Sequence, residues 1–87
     1  MPKLRRLSIR GCLVSDKGIS RIVSALPGLN VLRIARCVFL TDRSLHSIGS
    51  NLRCLQHIDI DGCPKITEAG RKHLLTKLPH VRFLNEG

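Results

Sequence analysis

The chain repeats itself. Leu4, Leu29, Leu55 and Val81 stand 25, 26 and 26 residues apart, and the same order of residue types follows each of the first three. Apolar side chains hold the first, fourth and sixth places: Leu4, Leu7 and Ile9, then Leu29, Leu32 and Ile34, then Leu55, Ile58 and Ile60. Cysteine fills the ninth place as Cys12, Cys37 and Cys63. Beyond it Val14, Leu40 and Ile66 each precede a hydroxyl and an acid: Ser15-Asp16, Thr41-Asp42 and Thr67-Glu68. A fixed period of this length marks supersecondary units that stack, because no single unit can bury its own apolar face.

Two local rhythms sit inside each period. The apolar places four and six alternate with polar ones, as a strand requires. Ile19, Ile22 and Leu26 then recur as Leu45, Ile48 and Leu52, with Leu74 and Leu78 in the third copy, at helical spacing. Ser15, Thr41 and Thr67 are helix N-caps, and the acid after each lies where the positive end of the helix dipole favours it. Helices are expected over about 16–26, 42–52 and 68–78, with Pro27 and Pro79 closing two of them.

The expected fold class is therefore α/β: a solenoid of three strand-turn-helix repeats, about 4–28, 29–54 and 55–80, in a single domain spanning 1–87. Residues 81–87 begin a fourth repeat, and a parallel sheet forms the concave face. The apolar positions start almost at Met1 with no polar capping segment. That predicts a fragment of a longer repeat protein, or a subunit whose N-terminal edge is covered by a neighbour.

Three in-register copies of L-x-x-L-x-L-x-x-C, each followed by an I/L-T-D-like signal, resemble the cysteine-containing leucine-rich repeat family across about Leu4 to Leu84. The resemblance implies a non-enzymatic protein-protein interaction module. In its best-known form this is the substrate-recognition part of F-box/leucine-rich-repeat subunits of ubiquitin ligases, although no F-box is read within these 87 residues. The alternative it implies is a small structural subunit of a mitochondrial, ciliary or RNA-containing assembly.

Alternation along the strands assigns the open face of the sheet: Arg6, Ser8 and Arg10; Val31, Arg33 and Ala35; His57, Asp59 and Asp61; Phe83 and Asn85. Arg36 adds to its basic side, and Arg33 falls in the same column as Asp59. This polarised strip is the expected partner-binding surface, with Arg6, Arg10 and Arg33 suited to hold carboxylate or phosphate bidentately. Fifteen Lys and Arg against six Asp and Glu, a formal +9, point to a partner with an acidic surface. Nucleic acid is the less favoured partner, because a chain with two Phe and no Tyr or Trp lacks stacking platforms. Lys17, Arg21, Arg43, His46, Arg71, Lys72, His73 and Lys77 form a positive coat on the helices. No run of about 18 apolar residues is present to span a bilayer.

The ninth-place cysteines read as an inward structural ladder of small, weakly hydrogen-bonding thiols. No C-x₂₋₄-C pair suggests zinc; Cys54 and His57 have ligand-like spacing, but Leu55 and Ile58 place them at a strand start. No metal or cofactor is expected. Neither a nucleophile elbow nor a phosphate-cradling glycine loop is present, so no catalytic residues are assigned. Unpaired cysteines fit a reducing intracellular compartment, cytoplasm or nucleus, with the mitochondrion as the alternative.

Overall fold

The computed structural model describes residues 4–84. Seven elements alternate along the chain: β1 (Arg6–Ser8), α1 (Asp16–Ala25), β2 (Val31–Arg33), α2 (Asp42–Asn51), β3 (His57–Asp59), α3 (Glu68–Lys77) and β4 (Arg82–Phe83). The strands form one parallel sheet in the order β1-β2-β3-β4. Parallel neighbours require a crossover, and each helix supplies one, so α2 packs between α1 and α3. No helix among the described residues is long and apolar enough to cross a membrane.

Leu7, Leu32 and Ile58 lie side by side in the first three strands. This row faces the helices and meets Ile19, Val23, Leu45, Ile48 and Leu74 in a core closed at its centre by Leu29, Leu40, Leu52 and Leu55. Ser15 and Thr67 cap their helices as expected, accepting from the amides of Gly18 and Gly70, and Thr41 accepts from Arg43. Each helix stops one residue before the expected end, because Leu26, Leu52 and Leu78 leave helical geometry to act as C-caps. Their amides still donate to the carbonyls of Ile22, Ile48 and Leu74. The leucine side chains thus plug the core while the backbone turns toward the next strand.

After each of the first three strands the chain turns through a left-handed residue: Gly11 at φ 71°, Arg36 at φ 61° and Gly62 at φ 75°. Glycine takes this conformation freely, whereas arginine takes it at a steric cost. Arg36 also lies across its neighbour's glycine: a Cβ on Gly62 would stand 3.0 Å from Arg36 Cγ. The turn folds the next residue back, so the amides of Cys12, Cys37 and Cys63 donate to the carbonyls of Ile9, Ile34 and Ile60.

The fourth strand departs from the expected register. His57 pairs with Arg82 and Ile58 with Phe83, an offset of 25 rather than 26. In the earlier links two successive amides share one carbonyl: Asn30 and Val31 on Arg5, Gln56 and His57 on Asn30. Only Arg82 uses Gln56. The single missing residue therefore falls between Val81 and Arg82. Because side chains alternate, Phe83 is moved off the open face into the inward row, where it is half-buried against the core.

Candidate functional site

Across the open face, register aligns Arg6, Val31, His57 and Arg82 in one row and Ser8, Arg33 and Asp59 in the next. Leu84 follows Phe83 outward again, its amide donating to the Ile58 carbonyl. Between these rows lies a cleft of about 340 Å³ lined by Arg6, Ser8, Val31, Arg33 and His57, with Leu7 and Leu84 completing its walls. Five residues predicted from alternation are thus gathered into one depression. Leu84 joins them through the shortened link before β4.

The cleft combines two guanidinium groups with an apolar wall. Arg6 is exposed. Arg33 differs: its Nη1 stands 3.6 Å from Asp59 Oδ2, and while the arginine side chain is 44% exposed the aspartate is fully buried. Asp59 was expected on the open surface, but its neighbours enclose it and its Oδ1 accepts from the Asp61 amide at 3.1 Å. Its Oδ2 makes no hydrogen bond, so the Arg33 charge is what compensates it. The pair is a structural anchor for Arg33 more than a free acidic element of the face. His57 is half-buried at the floor, and its buried Nδ1 also has no hydrogen-bond partner.

Other assignments move. Ala35, expected outward, is 1% exposed, because the chain enters the turn at Arg36 and the alternation ends there. Arg10, Arg36 and Asp61 are exposed near that turn, outside the residues that line the cleft. Phe83 faces the helices and carries the Arg71 guanidinium 5.5 Å from its ring centroid. Asn85 lies outside the described residues. Within the basic coat, His46 and His73 stack across α2 and α3 with ring centroids 4.0 Å apart.

The cysteine ladder has two inward rungs. Cys37 Sγ donates to the Ile9 carbonyl and Cys63 Sγ to the Ile34 carbonyl, each at 3.2 Å, so the acceptor always belongs to the preceding unit. Burial pushes both thiols above their ordinary pKa and outweighs the nearby backbone hydrogen bonds. Cys12 is exposed, against expectation, with no strand before β1 among the described residues to receive it; Cys54, in the loop before β3, is exposed too. All four thiols are free. Among the described residues no three His, Cys, Asp or Glu side chains converge as metal ligands would.

The helix-start acids do more than complement a dipole. Asp16 Oδ1 accepts from the Thr41 amide at 2.9 Å and from Ser44 Oγ at 2.5 Å, and Oδ2 accepts from Thr41 Oγ1 at 2.6 Å. Asp42 repeats this one unit on, taking the Thr67 amide at 2.8 Å and Thr67 Oγ1 at 2.6 Å. At this second junction Gly70 replaces the serine, and a Cβ there would overlap the Asp42 carboxylate. Burial acts to raise the Asp16 pKa, but the hydrogen bonds from Ser44 and Thr41 together prevail and hold it below the usual aspartate value. The sequence signal was the recurrence of an acid directly after each cap. Recurrence alone did not reveal that Asp16 and Asp42 reach forward to the next cap.

Compared with models of known protein families and with curated protein sequences, the chain has no significant match to either.

Proposed function

We propose that this chain is a leucine-rich-repeat solenoid acting as a non-enzymatic interaction module that receives a protein partner with an acidic surface on the open face of its sheet. The observation that supports this reading is the cleft in which Arg6, Arg33 and His57, from three different strands, surround apolar Val31 and Leu84. An extended segment carrying a carboxylate next to a small apolar side chain complements it, the carboxylate meeting Arg6 and Arg33 and the apolar group resting on Val31. Within this reading, substrate recognition in an F-box-type ubiquitin ligase is the favoured role and a reducing intracellular compartment the setting.

A second role, a subunit of a larger assembly, is favoured by a separate observation. Leu4 and Leu13 are 45% and 75% exposed on the first unit, beside exposed Cys12, and a neighbour laid against this edge would cover them.

The test is fluorescence anisotropy with a panel of acidic decapeptides, run on the parent chain and on Arg6→Glu. Arg6 is the variant of choice because it has no buried carboxylate to strand, unlike Arg33. Binding that weakens at least tenfold in Arg6→Glu, and is indifferent to nuclease, supports the open face. Equal binding by both chains would sink it.

A further inference from the structure

A second cleft lies on a different edge of the molecule, where α2 and α3 end. It measures about 350 Å³ and is lined by Gly49, Ser50, Arg53, Lys77, Leu78 and His80. Each contributor is placed by local structure. Ser50 belongs to the last turn of α2, and Arg53 follows its C-cap Leu52. Lys77 ends α3, and His80 follows Pro79 in the turn before β4. Gly49 forms part of the wall: a Cβ there would stand 3.3 Å from Lys77 Cδ, so the absent side chain lets the lysine stem lie close against α2.

Arg53, Lys77 and His80 are exposed, and among the described residues no carboxylate stands within ion-pair distance of Arg53 or Lys77. Three of the acids are engaged elsewhere: Asp16 and Asp42 hold the next helix caps and Asp59 faces Arg33. Lysine at a helix C-terminus is favoured by the dipole, which accounts for Lys77 alone. It does not account for a guanidinium from one loop and an imidazole from another bordering the same depression.

We propose that this cleft binds a compact polyphosphate anion, a small molecule of the diphosphate class. Arg53 presents a planar fork of donors suited to a phosphate edge, Lys77 a mobile point charge, and Ser50 and His80 further hydrogen-bonding groups. A compact anion suits this arrangement better than a nucleic-acid strand. Arg53, Lys77 and His80 border one depression instead of following a line, and no Phe, Tyr or Trp lines it to stack a base.

Calorimetric titration with inorganic pyrophosphate tests the assignment. The expected result is one saturable site per chain, weakened at least tenfold in Arg53→Gln and in Lys77→Gln. Arg43→Gln, on the exposed start of α2, and Arg6→Glu, on the open sheet face, should both bind as the parent does. Far-UV circular dichroism of each variant verifies that the fold is retained. Three results would overturn the proposal: sulfate competing at the same concentration as pyrophosphate, Arg43→Gln weakening binding as much as Arg53→Gln, or a twelve-nucleotide RNA binding where pyrophosphate neither binds nor displaces it. The first two would mean diffuse attraction to a basic surface, the third a nucleic-acid surface. Because Arg6→Glu is scored separately in the peptide assay, the two clefts can fail independently.

Discussion

The first and second units carry nearly the same residue pattern and differ in fate. In the second, Leu29, Leu32, Ile34 and Cys37 are all fully buried. Their counterparts in the first are Leu4, 45% exposed, Leu7 and Ile9, half-buried, and Cys12, exposed. Identical chemistry therefore gives unequal burial. What differs is the neighbour: among the described residues unit two has a strand and helix on both sides, whereas unit one has them on one. In this architecture burial belongs to the junction between units, and a residue's contribution to stability depends on its place in the stack as much as on its type.

The largest test of that contrast removes the same side chain from both units. Leu32→Ala should destabilise by about 3 kcal/mol, within the usual range for a fully buried leucine, and Leu7→Ala by less than half as much. Urea melts of the two variants measure it, and equal losses would break the comparison.

The charged rows give the next largest effect. Arg33→Ala leaves Asp59 buried without its compensating charge and should cost about 2 kcal/mol. That is less than the loss from a wholly buried pair, because the guanidinium is itself partly in water. Arg6→Ala, at the neighbouring exposed position, should stay within about 0.5 kcal/mol. Thermal unfolding of Arg33→Ala beside the double variant Arg33→Ala, Asp59→Asn sharpens this: replacing the stranded carboxylate should recover part of the loss.

Cysteine provides a finer probe. Cys37→Ser should cost about 1 kcal/mol, as a hydroxyl replaces a thiol in an apolar site, and Cys54→Ser close to nothing. The native protein should expose two thiols, Cys12 and Cys54, to a disulfide reagent at neutral pH. Cys37 and Cys63 should react only after unfolding, since both burial and their raised pKa disfavour the thiolate.

The smallest expected effect is a pH dependence. The Asp16 pKa is lower in the folded chain than in the unfolded one, so its stabilising contribution is complete above the ordinary aspartate value of 3.8 and is lost as pH falls through the depressed value. Asp16→Asn should lower stability by about 1 kcal/mol at pH 7. At pH 2 the difference from the parent should shrink, as a chemical denaturation series across pH would reveal.

Much of this architecture was legible because its signals are local. The apolar place four with its polar neighbours, the hydroxyl caps and the helix spacing each lie within a few residues of one another, and all reappear as strands, caps and helices. The open-face cleft was legible in five of its seven lining residues for the same reason. What escaped depended on partners one period away. Cys12 carries the signature of the ladder but has, among the described residues, no carbonyl such as Ile9 gives to Cys37. Asp59 alternates outward on paper and is enclosed by the strands around it. Phe83 and Leu84 exchanged faces because one residue is missing before β4, a deletion visible only in the strand pairing and the hydrogen bonds to Gln56.

The forward reach of the helix-start carboxylates has a consequence for how such a chain can be edited. Every junction has a giving side, the carbonyl at place six and the acid at the helix start, and a receiving side, the thiol and the capping hydroxyl. The middle unit owns both, through Ile34 and Asp42 toward unit three and through Cys37, Thr41 and Ser44 toward unit one. It is thus the one segment whose tandem duplication would create a junction made wholly of partners already tried: Asp42 would meet a second Thr41 and Ser44, as Asp16 meets the first. The stack reads in one direction, and length can be added at its centre without new chemistry.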